Sequence, residues 1–111
     1  MRVINVRVYD RELRAIPLYP ITSGSVGLPV KFTFTDEWDG LTRTAKFRHG
    51  ETVAEVELAA DTSTVPATVL ADPGGDLWIG VYGSDASGNI AIPTVWGKVG
   101  HIFDGVTPAG D

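Results

Sequence analysis

Few side chains in this sequence could carry chemistry, and the densest group is the turn Asp36-Glu37-Trp38-Asp39. Three carboxylates suggest general acid–base work on a glycosidic bond. That reaction needs two carboxyls facing each other across a cleft, about 5–9.5 Å apart. Near neighbours on one turn do not face each other, and no second acidic cluster in the chain is placed to oppose them. Trp38 gives the turn two other readings. In one, the ring is exposed and forms a sugar-stacking platform with Asp36 and Asp39. In the other, it folds back as a plug over the open end of a core and removes roughly 150–250 Å² of surface from water. The usual burial of tryptophan favours the plug.

The remaining candidates are thinner. The two histidines, His49 and His101, fall in a predicted turn and after the last predicted strand, without the neighbouring ligands a metal site needs. Ser23-Gly24-Ser25-Val26-Gly27 lacks the glycine two places before Ser25 that a nucleophile elbow requires, and it leads into a strand rather than a helix. Pro73-Gly74-Gly75 also precedes a strand, so it offers phosphate no helix N-terminus. Asp85, Ser87 and Asn89 are spaced as oxygen ligands in a calcium loop, but no glutamate stands at the twelfth position. Hairpin loops use the same residues for their backbone angles. There is no cysteine, which excludes disulfides and thiolate metal sites. The sequence therefore predicts no catalytic residue, no metal, no cofactor and no enzyme activity.

The elements that must position these residues have a period of two. Ile4, Val6 and Val8 alternate with Asn5, Arg7 and Tyr9. The sharpest case is Val26, Leu28, Val30, Phe32 and Phe34, separated by small or polar residues. That pattern describes strands with one buried face. It returns over 42–48, with Ala45 and Phe47 inward, and over 52–58. Residues 64–70 hold Pro66, which makes them an edge strand or a connection. Residues 77–82 are apolar on both faces and suit a central strand, and 90–99 form the last long one. His49-Gly50, 72–76 and 83–89 are turns. Residues 11–25, interrupted by Pro17, Pro20 and Gly24, are expected to cross from one sheet to another. No helical stripe occurs. The expected fold is all-β: a single antiparallel sandwich, immunoglobulin-like or jelly-roll-like, of about seven or eight strands over 1–103. An acidic Gly/Pro linker-like tail follows over 104–111.

Bulk properties narrow the partners. The chain has 111 residues and a formal charge of −5. One domain of that length can bury a core without staples. Its basic residues thin out after Arg48, leaving only Lys98, so nucleic acid and anionic membranes are poor partners. The first residues show no apolar signal region, and no apolar run reaches the roughly 18 residues of a membrane helix. A soluble protein that folds where it is made is the expectation.

Three stretches together carry a resemblance: "FTFTDEWDGLTRTAKFRHGETV", "STVPATVLADPGGDLWIGVYGSD" and "IPTVWGKVGHIFDG". They resemble a small β-sandwich domain of bacteriophage and prophage structural proteins, found in head-fibre, tail-fibre and baseplate upper proteins near their N-termini. The shared pattern is a D-x-W-D-G-L turn, a T-V-P segment, an L-x-x-G-V-Y-G strand and a P-T-x-W strand, over about residues 26–107. The resemblance implies a virion scaffold, anchoring or decoration role, with capsid or baseplate proteins as partners. It also implies a homo-oligomer, a trimer by analogy with fibres. The apolar last strand offers a candidate interface at Pro93, Val95, Trp96 and Val99, since apolar edge strands tend to find partners; the competing reading, which burial statistics favour slightly, is that Trp96 completes the sandwich core. The alternative is a carbohydrate-binding module using an exposed tryptophan.

Overall fold

A computed structural model describes residues 3–9, 12–16, 21–24 and 27–103. Among these, the chain forms nine strands and two short 3₁₀ turns. The strands are β1 (Ile4–Tyr9), β2 (Glu12–Ile16), β3 (Ile21–Thr22), β4 (Pro29–Phe34), β5 (Thr42–His49), β6 (Thr52–Glu57), β7 (Thr62–Thr64), β8 (Asp76–Ser84) and β9 (Ile90–Phe103). The turns are η1 (Asp36–Trp38) and η2 (Ala67–Leu70). Two sheets result, ordered β2-β1-β4-β7 and β3-β9-β8-β5-β6. Residues 104–111, expected to be a linker, and Ser25 and Val26 lie outside the described residues.

The sandwich follows from the alternation. In β1 the buried residues are Ile4, Val6 and Val8, and in β4 they include Val30 and Phe32. They face Ala45 and Phe47 of β5, Leu77, Ile79 and Val81 of β8, and Ile92, Val99 and Ile102 of β9 in one apolar cluster. β8 lies between β9 and β5, as its unbroken apolar run predicts. β2 belongs to the first sheet and β3 to the second, so the Pro/Gly-broken stretch does change sheets. Pro66 separates the edge strand β7 from η2, so the stretch from 64 to 70 ends a strand and then becomes a connection.

The expectation of a purely antiparallel sandwich needs correction. β1 runs parallel to β4, and β3 runs parallel to β9, so both sheets are mixed. Strand direction is set by connections, and alternation carries no information about it. The short β3 and β7, two and three residues long, also raise the count above the expected seven or eight.

Two 3₁₀ turns close the sandwich from opposite ends of β5 and β8. η1 brings Trp38 beside Gly83, late in β8. η2 brings Val69 and Leu70, both fully buried, toward the end of β5, where the His49 ring meets the Val69 carbonyl. The sheets supply the walls and these turns the ends.

Candidate functional site

The acidic turn is structural. Thr35 precedes η1, the Trp38 amide donates to the Thr35 carbonyl at 3.0 Å, and Gly40 takes the positive φ (78°) that turns the chain into β5. Trp38 is 0% exposed. Its ring centroid is 5.1 Å from that of Phe34. A Cβ at Gly83 would come within 3.2 Å of the Trp38 ring and 2.8 Å of Leu41, so the glycine is what admits them. Arg43 fastens the turn from outside. It donates to the Trp38 carbonyl through Nη2 at 3.0 Å and to Asp61 through Nη1 at 2.7 Å, with its guanidinium 4.6 Å from the Phe34 ring centroid. The platform reading of Asp36, Trp38 and Asp39 is therefore corrected. The two aspartates are exposed, but the ring between them has no face left for a ligand.

His49 also ties backbone. The His49 ring nitrogens lie against the carbonyls of Val69, at 3.1 Å, and Gly74, joining the end of β5 to the connection that carries η2. His101 lies within β9 rather than after it, outward and edge-on to Phe103 at 4.8 Å between centroids. Asp85 accepts hydrogen bonds from the Ser87 and Asn89 amides at 2.9 and 3.0 Å, the side-chain-to-backbone closure of a tight loop. Among the described residues, no three His, Asp or Glu side chains gather as a metal would need.

What remains is a surface. On the outer face of the second sheet, register places Lys98 of β9, Trp78 of β8, Arg48 of β5 and Val53 of β6 in one cross-strand row. The next row runs Trp96, Gly80, Lys46 and Glu55. Tyr82 stands beyond Gly80 along β8, with the Lys46 ammonium 5.4 Å from its ring centroid. Trp78 and Trp96 are each 38% exposed. Lys46 pairs with Glu55 at 3.8 Å and Lys98 with Asp76 at 4.0 Å, so the cations at the margin are partly neutralised. A shallow hollow of about 600 Å³ opens beside Trp78, bounded by Arg48, His49 and residues 72–76. Flat indole rings flanked by paired charges suit binding by stacking and packing.

The predicted interface set divides on this face. Trp96 and Pro93 are exposed, Val95 is half-buried, and Val99 is a core residue at 7% exposure. Alternation alone puts Trp96 on the opposite face from Val95 and Val99, one and three residues away; Pro93 joins the outward side because β9 slips against β8 between Val81 and Gly83, with further slips between Leu77 and Trp78 and between Gly83 and Ser84. Each slip reverses the inward–outward parity. Trp78, Tyr82 and Arg48 belong to the face but not to the predicted set. Their outward parity was visible within each strand. The pairing that puts them beside Trp96 was not.

Comparison with protein-family models, with curated proteins and with solved structures finds no match to this chain. No helix among the described residues is long and apolar enough to cross a membrane.

Proposed function

We propose that this chain is a non-enzymatic structural module of a bacteriophage or prophage particle. In this reading it anchors or decorates a head fibre, tail fibre or baseplate. It is assembled in the host cytoplasm, it contacts capsid or baseplate proteins, and it works as a homo-oligomer, a trimer where it serves a fibre. One observation carries the reading: the buried residues and glycines behind the resemblance maintain shape. Trp38 plugs the end of the core, Gly83 makes room for it, and Gly80 lies beneath Trp96. A motif whose members pack and turn, with no reactive pair among them, fits a scaffold better than a catalyst. The exposed Trp78–Trp96 face would then meet a neighbouring subunit. The test is mass spectrometry of particles purified after induction of a strain carrying the gene. The reading predicts this chain in fixed ratio to the major capsid protein. Its absence from intact particles that contain every other structural protein would overturn it.

A second reading is favoured by the same face. Two indoles on neighbouring strands, each with a solvent-facing side, also suit stacking on a sugar ring. In that reading the tryptophans are Trp78 and Trp96, since Trp38 is buried. Titrating tryptophan fluorescence with cell-wall glycans separates the two: a saturable change abolished in Trp96→Ser supports glycan binding.

A further inference from the structure

The charges of this chain are unevenly placed. The first 31 positions hold Arg2, Arg7, Arg11, Arg14 and Lys31 against only Asp10 and Glu12, in a chain whose formal net charge is −5. Strand pairing gathers three of these cations on the outer face of the first sheet. Arg7 of β1 lies directly opposite Arg14 of β2. Lys31 of β4 is paired with Asn5, one pleat repeat from Arg7, and Thr33 is paired with Arg7 itself. All three cations are exposed. Glu12 is the sole carboxylate on the four strands of this sheet, and it stands opposite Tyr9, beyond Arg7 and Arg14. Among the described residues, neither arginine nor Lys31 forms an ion pair, whereas Arg43, Lys46 and Lys98 each do.

Like charges directly opposite one another in a sheet repel. An acidic protein could disperse its few cations, yet here three adjoin, with Glu12, one pleat repeat from Arg14, the one carboxylate on the strands of this face and, among the described residues, no ion pair to any of the three. Between Arg7 and Lys31 the surface is concave: a hollow of about 290 Å³ is lined by Asn5, Arg7, Ile16, Lys31 and Thr33. Its chemistry is convergent. The Arg7 guanidinium offers a planar fork of donors and Lys31 a point charge. The Asn5 amide and Thr33 hydroxyl add neutral hydrogen-bonding groups, and Ile16 gives an apolar wall.

We infer that this hollow binds an oxyanion (a carboxylate, sulfate or phosphate group) held between Arg7 and Lys31, with Arg14 adding charge from the adjoining strand. A bound anion relieves the Arg7–Arg14 repulsion and so stabilises the fold by mass action. The inference is independent of the virion reading, because it concerns the opposite face of the sandwich from Trp78 and Trp96.

The test compares the parent with the double variant Arg7→Gln, Lys31→Gln. Both are melted in sodium sulfate, sodium phosphate and sodium trigalacturonate, each against sodium chloride of equal ionic strength. Sulfate and phosphate strengthen burial in any protein by exclusion from its surface, so the readout is the difference between parent and variant. The expected result is a saturable rise in Tm of the parent that the variant lacks in at least one anion. A rise confined to the inorganic salts assigns a tetrahedral oxyanion. A rise confined to trigalacturonate assigns a sugar-borne carboxylate. A ¹⁵N NMR titration of the parent needs no variant, and it should move the Arg7 and Arg14 side-chain signals and the Asn5 amide before others. Equal Tm responses of parent and variant in all three anions, with those signals stationary, would overturn the inference.

Discussion

The indole of Trp96 lies where a side chain at position 80 would go. The two residues face each other across β8 and β9, and a Cβ added to Gly80 would sit 2.8 Å from Trp96 Cδ2 and Cε3 and 2.9 Å from Thr94 Cγ2. The glycine lets a large ring lie flat on the sheet, covering backbone that a side chain would otherwise shield. Gly80→Ala must therefore lift the ring or shift the strand. Overpacking of this kind costs about 1–3 kcal/mol. The expected outcome is a lower Tm together with stronger iodide quenching of Trp96, measured in a Trp78→Phe background. Unchanged quenching would mean that the ring does not rest on Gly80.

Trp38 should be the most sensitive aromatic. It is fully buried at the mouth of the sandwich, between Phe34, Leu41 and Gly83. Truncating a buried ring to alanine costs about 3–5 kcal/mol, a large share of the roughly 5–15 kcal/mol that holds such a domain together. Urea denaturation of Trp38→Ala should show a markedly lower midpoint. Arg43→Met tests the fastening separately: it keeps an apolar stem over Phe34 while removing the donors to Trp38 and Asp61, and it should cost less than the ring does.

The link from β6 to β7 should be improvable. Ala60 and Asp61 both have positive φ, 54° and 58°. Consecutive positive values are what a type I′ hairpin turn needs, and glycine or asparagine normally supplies them. A left-handed non-glycine residue costs roughly 1–2 kcal/mol. Asp61 has a reason to be there, since its carboxylate holds Arg43 and its carbonyl accepts from the Phe32 amide at 2.8 Å. The Ala60 side chain is exposed to solvent. Ala60→Gly should raise Tm despite the entropy that glycine adds to the unfolded chain. A lower Tm would show that the unfolded-state term outweighs the relief.

Much of the sandwich was legible because burial imposes a two-residue period. The inward faces of β1, β4 and β5 and the central place of β8 can be read directly. The plug reading of Trp38 could be favoured, since a strand, a short acidic segment and Asp39-Gly40 bracket the ring. β9 was harder. Ile92 and Trp96 are four residues apart and should share a face, yet one is core and the other exposed. The extra residue that intervenes is a pairing irregularity with β8, and single-strand alternation cannot encode it. Parallel pairing was hidden for a related reason, because it depends on where a connection lands. The gathering of Arg7, Arg14 and Lys31 required register between three strands, so along the chain they looked scattered.

The loop after β8 should be indifferent to calcium. Asp85 Oδ1 already accepts from two backbone amides of its own loop, at 2.9 and 3.0 Å. Melts in EDTA and in millimolar calcium are expected to coincide, whereas Asp85→Ala should lower Tm, since losing such a closure costs on the order of 1 kcal/mol. A clear rise in Tm with calcium would contradict this.

Assembly is the last expectation, and Trp96 is again its centre. Pro93 and Trp96 stand on the exposed side of β9, and Trp96 with Trp78 and Tyr82 of β8 forms the aromatic part of this face. Pro93 lacks an N–H, which is consistent with a strand whose far edge is covered by β3 only at Ile102 and Phe103. Trp78 and Trp96 each keep 38% of their surface in water, more than a ring serving only the core would show. Tryptophan is the residue that most often anchors interfaces. Copies of this chain should therefore associate at micromolar concentration, and Trp96→Ser should shift the solution mass toward the monomer without lowering Tm to the degree that Trp38→Ala does. Light scattering and sedimentation equilibrium measure the mass; iodide quenching, compared with and without dilution, reports whether the ring is covered on association. A parent that is strictly monomeric across this range, with its indoles equally quenchable at every concentration, would rule out self-association through this face. Contact through Trp78 and Trp96 would then have to be with a different protein.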